Sequence, residues 1–390
     1  MLMKKFCRCA ELFLFVYLWQ RKITQSMRIK EICAEMELMA PLSLQEDYDN
    51  AGLQVGDPEK ELTGVLLTLD VTTDVVKEAH AKNCNLIVAH HPLIFRGLKK
   101  IVPQSDVQRS VMLALELGIA IYAAHTNIDN AANGMNAKIA QKLGLKNFRT
   151  LCPSYDKYLK LVTYVPKNKV EQLDKALIDA GAGCIGNYDC CTYRSQGEGT
   201  FRAKSEECHP YVGKVGTIHT EPEIRYETVL PEYLREKVTR ALLEAHPYEE
   251  PAYDFYSLTK TSANGTGGVG DLAQEMTEAD FLNHVKDVFK IPVVRHTAFL
   301  NRKIKKVAFV GGAGISFLHE ALASKADVFL TSDIKYHDFF LAENKILIAD
   351  FGHFESEQYI KETFFDIIRK KIPNFVIQIS EINTNPINYL

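Results

Sequence analysis

From Met27 onward the chain breaks into short apolar runs separated by segments with helical spacing. Residues 27–39 place apolar side chains three and four apart, which predicts a helix. The runs Val65–Leu69, Leu86–His91 and Ile119–Ala124 predict strands, and Thr73–Lys82 and Val107–Leu117 predict helices between them. Leu86–Ala89 is continuously apolar instead of alternating, as expected where both faces are buried. Alternating β and α elements of this kind imply a parallel sheet covered by helices.

After Leu145 the patterning shifts toward period two. Leu159–Val165 reads as a strand, Val170–Ala180 as a helix, Asp189–Phe201 as a hairpin, Glu232–Ala245 as a helix and Ala252–Leu258 as a strand. The sum is a small α+β module. Asn264-Gly265-Thr266-Gly267-Gly268-Val269-Gly270 marks the return from it. The C-terminal part then repeats the opening logic: Val307–Val310 followed by Gly311-Gly312-Ala313-Gly314 and a helix, then strands Val328–Leu330 and Ile346–Ala349. The expected fold class is therefore α/β. Two βαβαβ-type halves, residues 27–150 and 265–390, form one discontinuous domain, interrupted by the α+β module over 151–264.

Composition narrows the functional classes. The chain has 390 residues, 46% hydrophobic and 24% charged, with a net charge of -3. That balance offers no basic surface for nucleic acid, so a small-molecule substrate is expected. The nine cysteines include no C-x-x-C pair, which argues against a disulfide framework and a cysteine-held zinc and points to a reducing cytoplasm. At the N-terminus, Leu12–Trp19 is too short to span a bilayer and runs into Gln20-Arg21-Lys22 without a cleavage site. Residues 1–26 are expected to be a non-native or disordered extension ahead of a start at Met27, with a membrane anchor as the alternative.

Candidate chemistry collects at the strand tips. Asn85–Ala89 delivers His90 and His91, with Pro92 stopping the strand. Ile119–Ala124 leads to His125 and Asp129, and the last strand leads to His353 and Glu357, four residues apart and on one face if a helix begins there. Ligands gather beyond the carboxyl ends of parallel strands. His90, His91, Asp129, His353 and Glu357 form a nitrogen and oxygen shell without thiolate, suited to zinc, iron, manganese, cobalt or nickel. Five ligands exceed the three of a single catalytic zinc, whereas two ions about 3.5–4 Å apart would use them all. A plainer reading makes His353 and Glu357 a helix N-terminal pair.

These residues carry a resemblance. Asp49-Asn50-Ala51-Gly52-Leu53-Gln54-Val55-Gly56, Ala89-His90-His91-Pro92-Leu93, His125–Asp129, Thr331-Ser332-Asp333 with Tyr336-His337, and Gly352-His353 with Glu357 occur in an order that resembles the GTP cyclohydrolase 1 type 2 family, the NIF-three-like proteins. The resemblance implies a dinuclear centre on the same five ligands, and a PII- or CutA-like insert. It also implies a homo-oligomer, specifically a hexamer. The expected activity is hydrolysis of a nucleotide or related small molecule, GTP foremost, by a metal-activated water. His125 and His337 are candidates for proton transfer or for orienting a ligand. Lys335 and the amides around Gly312 and Gly314 could hold a phosphate, although a tight turn explains the same glycines. A non-enzymatic metal-binding or regulatory protein and a metal-dependent phosphodiesterase are the alternatives.

Overall fold

In the opening helix, Ile29–Met39, the spacing of Ile29, Ile32, Cys33 and Met36 puts one stripe into the core, as an amphipathic helix requires. This is a computed structural model that describes residues 27–390 apart from Asn187. The expected extension over 1–26 lies outside the described residues. Beyond the helix come β1 (Gly52–Val55), β2 (Val65–Thr68), β3 (Leu86–Ala89) and β4 (Ala120–Ala123). Strands β2, β3 and β4 run parallel in register, Val65 beside Leu86 and Leu86 beside Ala120, while β1 lies antiparallel on β4. Their side chains alternate between two cores. Val65, Leu67, Val88 and Tyr122 enter one, and Leu66, Ile87, Ala89 and Ile121 enter the other, beneath helices Thr73–Ala81 and Asp106–Leu117. Double burial explains the unbroken apolar runs. Helix boundaries follow local chemistry: Thr72 and Ser105 accept from the third residue beyond them, and Gly118 closes the second helix in the left-handed region at φ 65°.

By compactness the described chain forms two units, one comprising residues 27–153 with Ala263–Leu390, the other Ser154–Ser262. The chain passes between them within β5 (Lys146–Pro166). The second unit contains the end of β5, helix Val170–Asp179, β6 (Thr192–Phe201), β7 (His219–Pro231), helix Arg235–Ala245 and the start of β8 (Tyr253–Thr277). Strand β7 is antiparallel to both β5 and β6. Leu173, Leu177, Val238 and Leu242 of the helices pack on Leu159, Leu161, Tyr226 and Leu230 of the strands. This is the α+β arrangement expected, with one correction. Asp189–Phe201 is not a hairpin in itself; Thr192–Phe201 is one arm and β7 is the other. Gly197 and Gly199 mimic a turn signal but stay extended, and a Cβ at Gly199 would lie 2.1 Å from the Glu223 carboxylate.

The first unit resumes along β8, which carries the glycine run inside the strand, with Gly267 at φ 68°. A Cβ at Gly268 would lie 2.3 Å from the Phe309 ring and 2.6 Å from Phe148, so these glycines permit close packing. Helix Glu278–Phe289, β9 (Arg295–His296), β10 (Lys303–Ala313), helix Leu318–Ala323, β11 (Val328–Ser332) and β12 (Leu347–Asp350) follow. Strands β10, β11 and β12 are parallel, flanked by antiparallel β8 and β9. Strand β10 does not end at Val310 as expected. It continues through Gly311 and Gly312, and after a register shift Ala313 pairs with Ser332. Helix Ile360–Lys371 leads to β13 (Ile377–Ile379), which adds a parallel strand beside β2. Val65, Leu67 and Val88 share one core with Val307, Phe309 and Leu330, so the two sheets of this unit close on a common interior. Among the described residues no helix is long and apolar enough to cross a membrane.

Candidate metal centre

Parallel strands β2, β3 and β4 end at one edge of their sheet, and the polar residues that follow them meet there. The amides of His90 and His91 both donate to the carbonyl of Leu69, at 3.1 and 2.9 Å. Regular strand alternation thus stops at Ala89, and the two imidazoles share one side with ring centroids 4.9 Å apart. His125 lies beyond β4, and Asp129 falls in the helix Thr126–Asn130. From the other sheet, β12 leads through Gly352, at φ 81°, into the helix His353–Glu357. His353 and Glu357 sit one turn apart, with His353 Nε2 3.2 Å from Glu357 Oε2.

Each of the four imidazoles is anchored through Nδ1. His90 donates to the Ala124 carbonyl at 2.8 Å, His91 to Asp70 at 2.7 Å, His125 to Asp49 at 2.7 Å and His353 to Asp333 at 2.7 Å. A carbonyl can only accept, so His90 carries a hydrogen on Nδ1 and turns Nε2 toward the cluster. That Nε2 is buried without a hydrogen-bond partner, as is Asp129 Oδ1, 3.7 Å away. Glu357 Oε2 lies 2.9 Å from His91 Nε2 and 3.6 Å from His90 Nε2. Atoms that each bind one ion at about 2.0–2.2 Å lie no more than about 4.4 Å apart, and all these separations satisfy that bound. Three overlapping groups could hold a metal: His90 with His91 and His125, His91 with His353 and Glu357, and His90 with Asp129 and Glu357. Orphaned buried acceptors and histidines fixed by carboxylates are what a cation site requires.

Burial and the cluster's own charges shift the proton affinities of its members. Burial, with Glu357 close by, pushes Asp129 up to about 8. Burial would also raise Glu357, but His90, His353 and His91 outweigh it and hold that carboxyl well below the usual range. Burial opposes a charge on His91 and His353, yet Asp70 and Glu357 raise the first to about 10 and Glu357 with Asp333 the second to about 9. Asp49 is buried as well, but bonds from His125 and Thr126 keep it ionised.

The other residues singled out by sequence fall differently. His337 is exposed, edge-on to Tyr336 and beside Phe340, and among the described residues it makes no hydrogen bond to a cluster carboxylate. Lys335 is exposed at the start of the 3-10 turn Tyr336–Ala342, and its amide donates to Asp338. Gly312 lies against the cluster: its N–H donates to Ser356 Oγ at 3.0 Å, and a Cβ there would fall 2.3 Å from Glu357 Oε1. Gly314 packs on Val310 and Thr331. Sequence reasoning overlooked the anchors Asp49, Asp70 and Asp333. Asp70 was within reach, since it is the polar residue just past the apolar run Val65–Leu69.

Residues 27–386 match the family model Duf34/NIF3 (NGG1p interacting factor 3). A "GTP cyclohydrolase 1 type 2 homolog" of Staphylococcus epidermidis is 38% identical over 369 residues, 93% of this chain and 100% of that one. The protein of the same name from Bacillus subtilis is 37% identical over 378 residues, 94% of this chain and 100% of that one. Among solved structures, a Bacillus cereus protein related to NIF3 superposes with a TM-score of 0.76 at 37% identity, and Staphylococcus aureus protein SA1388 with 0.79 at 30%. Each covers 94% of this chain and 100% of its own.

Proposed function

The chain belongs to the Duf34/NIF3 family and has its mixed α/β fold, and from that premise we propose that it is a metal-dependent hydrolase. Two divalent ions held by His90, His91, Asp129, His353 and Glu357 would supply Lewis acidity and an activated water. The observation that carries this reading is the pair of buried, unpartnered atoms, His90 Nε2 and Asp129 Oδ1, set among imidazoles whose Nδ1 atoms are all engaged.

The chain's own groups divide the work. Asp70, Asp49 and Asp333 fix three rings, and the Ala124 carbonyl fixes the fourth. Glu357 belongs to two of the three groups and has Oε2 close to three Nε2 atoms, so it would help hold either ion. His125 moves the proton: ionised Asp49 steadies the hydrogen on Nδ1, leaving Nε2 to exchange with substrate. His337 lacks such an anchor. Phe95 stands edge-on to His125 at 6.2 Å and Tyr48 stands 6.3 Å from Phe95, offering a planar substrate aromatic faces beside the cluster.

The relatives' names make GTP the first substrate to test. Hydrolysis at C8 of guanine consumes two waters, one opening the five-membered ring and one releasing C8 as formate. Metal-reconstituted protein is expected to release formate from GTP, with His125→Ala lowering turnover at unchanged metal content. Phosphate release without formate would instead assign a phosphohydrolase, release of a phosphomonoester from a phosphodiester substrate would assign a phosphodiesterase, and no GTP turnover at full metal occupancy would refute the cyclohydrolase reading. The hexamer belongs to the same proposal, and light scattering on the eluting protein measures it.

A further inference from the structure

The second unit holds a cavity of about 730 Å³, lined wholly by residues of Ser154–Ser262 and sharing none with the metal cluster. That volume is in the range of small-molecule sites. Its floor follows from strand pairing. Gly197, Gly199 and Phe201 lie on one face of β6, opposite Glu223, Glu221 and His219 of β7. The two glycines leave that face bare, and the Glu223 side chain fills the space over Gly199.

Glu223 is 8% exposed and lines the cavity. Tyr248 Oη donates to its Oε1 at 2.7 Å. Among the described residues no group donates to Oε2 and no cation pairs with the carboxylate. The residue is largely buried yet one oxygen is free to accept, so a donor entering the cavity would find a partner there. The walls are aromatic: the Tyr248 ring lies 6.0 Å from Phe201 and 6.2 Å from Tyr211. Arg202 and Lys204 stand exposed at the rim and form no ion pair among the described residues. Arg225, by contrast, is engaged by Glu227 and Tyr164.

We propose that the inserted unit carries a second binding site, for a planar heteroaromatic ring with adjacent N–H donors and an anionic tail, a guanine nucleotide being the simplest such ligand. The ring lies among Phe201, Tyr211 and Tyr248, its two N–H groups donate to Glu223, and Arg202 and Lys204 meet the phosphate. Guanine presents N1–H beside N2–H, which a carboxylate accepts as a pair. Adenine presents an acceptor beside its donor and turns a lone pair toward the same oxygen. The proposal does not depend on the metal centre.

Cys208, in the cavity wall, provides a local readout, and exposed Cys184, outside it, provides the reference. In the full-length protein, iodoacetamide labelling of both thiols is followed by mass spectrometry while guanosine monophosphate is titrated. Protection of Cys208 but not Cys184 is expected, with adenosine monophosphate needing at least a tenfold higher concentration and inorganic phosphate giving none. Glu223→Gln should raise the half-protecting concentration at least tenfold. The surface pair Arg202→Ala with Lys204→Ala should raise it for the nucleotide and leave it unchanged for guanosine, which keeps the test open if the Glu223 variant fails to fold. Glu357→Ala should change nothing. Absence of protection, equal protection by the adenine nucleotide or by phosphate, insensitivity to Glu223→Gln, or loss of protection in Glu357→Ala would each overturn the proposal.

Discussion

Gly312→Ala tests the metal centre without touching a ligand. Gly312 sits at φ 63°, where a residue with a Cβ costs about 1–2 kcal/mol. The added Cβ would lie 2.3 Å from Glu357 Oε1, against a working minimum of 3.0 Å, so the carboxylate must retreat by about 0.7 Å. Backbone movement cannot supply that distance cheaply, because the Gly312 N–H donates to Ser356 and its carbonyl accepts from Thr331. Metal–ligand distances tolerate only about 0.2 Å. The displacement therefore exceeds the tolerance several-fold, and a loss of affinity of about 10–100-fold is expected. Gly144→Ala is the control. It has φ 69° but open space around its Cβ, so it bears only the backbone cost. After gel filtration, elemental analysis should find the Gly312 variant depleted of metal and the Gly144 variant loaded as wild type, and added metal should raise Tm only in the latter two. Full occupancy in Gly312→Ala would refute the placement of Glu357 at the centre.

Three further outcomes follow from named contacts. Asp70→Asn removes the ionised partner of His91 Nδ1 and should weaken metal binding about 10–100-fold in competition with a chromophoric chelator, while the far-ultraviolet spectrum stays unchanged. Metal binding at pH 7.5 should release about two to three protons, since His91 at about 10 and His353 at about 9 must give theirs up and Asp129 at about 8 contributes a fraction. Calorimetry in buffers of different ionisation enthalpy measures this, and a buffer-independent heat would contradict it. Glu78 accepts from the Glu381 amide and the Ser380 hydroxyl; burial would raise it, but these bonds and Lys82 hold it below the ordinary carboxylate range. Because its folded value is depressed, the attachment of the C-terminal segment is intact above the unfolded value near pH 4.3 and is lost as pH falls through the folded value. The hydrogen-exchange protection of Ile377–Ile379, taken relative to the intrinsic rate at each pH, should fall at acid pH, and Glu78→Gln should show the lower protection already at neutral pH.

How far the sequence carried the fold depended on whether a signal was local. Apolar runs such as Leu86–Ala89 reveal strands because double burial leaves no polar position in them. The cluster residues were legible by the same route, because parallel strands deliver their tips to one edge. Glycine was ambiguous: Gly268 and Gly312 look like turn residues in sequence, and only the Phe309 ring and the Glu357 carboxylate reveal that they are there for space. Strand β13 gave no signal, since three residues with no period of their own become a strand only beside β2, which lies more than 300 positions earlier. Asp49 and Asp333 were illegible for a related reason, as each gains its meaning from a histidine 76 or 20 residues away.

The ligand set is divided between the sheets. His90, His91 and Asp129 come from the β2–β4 side, and His353 and Glu357 from the β10–β12 side. Neither half brings both Glu357 and His90 on its own, so an ion bound by both bridges the two halves of the unit. Binding to the folded state alone stabilises it by about 2.7 kcal/mol at a hundredfold excess over Kd. Metal removal should therefore loosen the contact between the two sheets first, while the separate core around Leu159, Tyr226 and Leu242 in the second unit, which contains no ligand residue, keeps its stability.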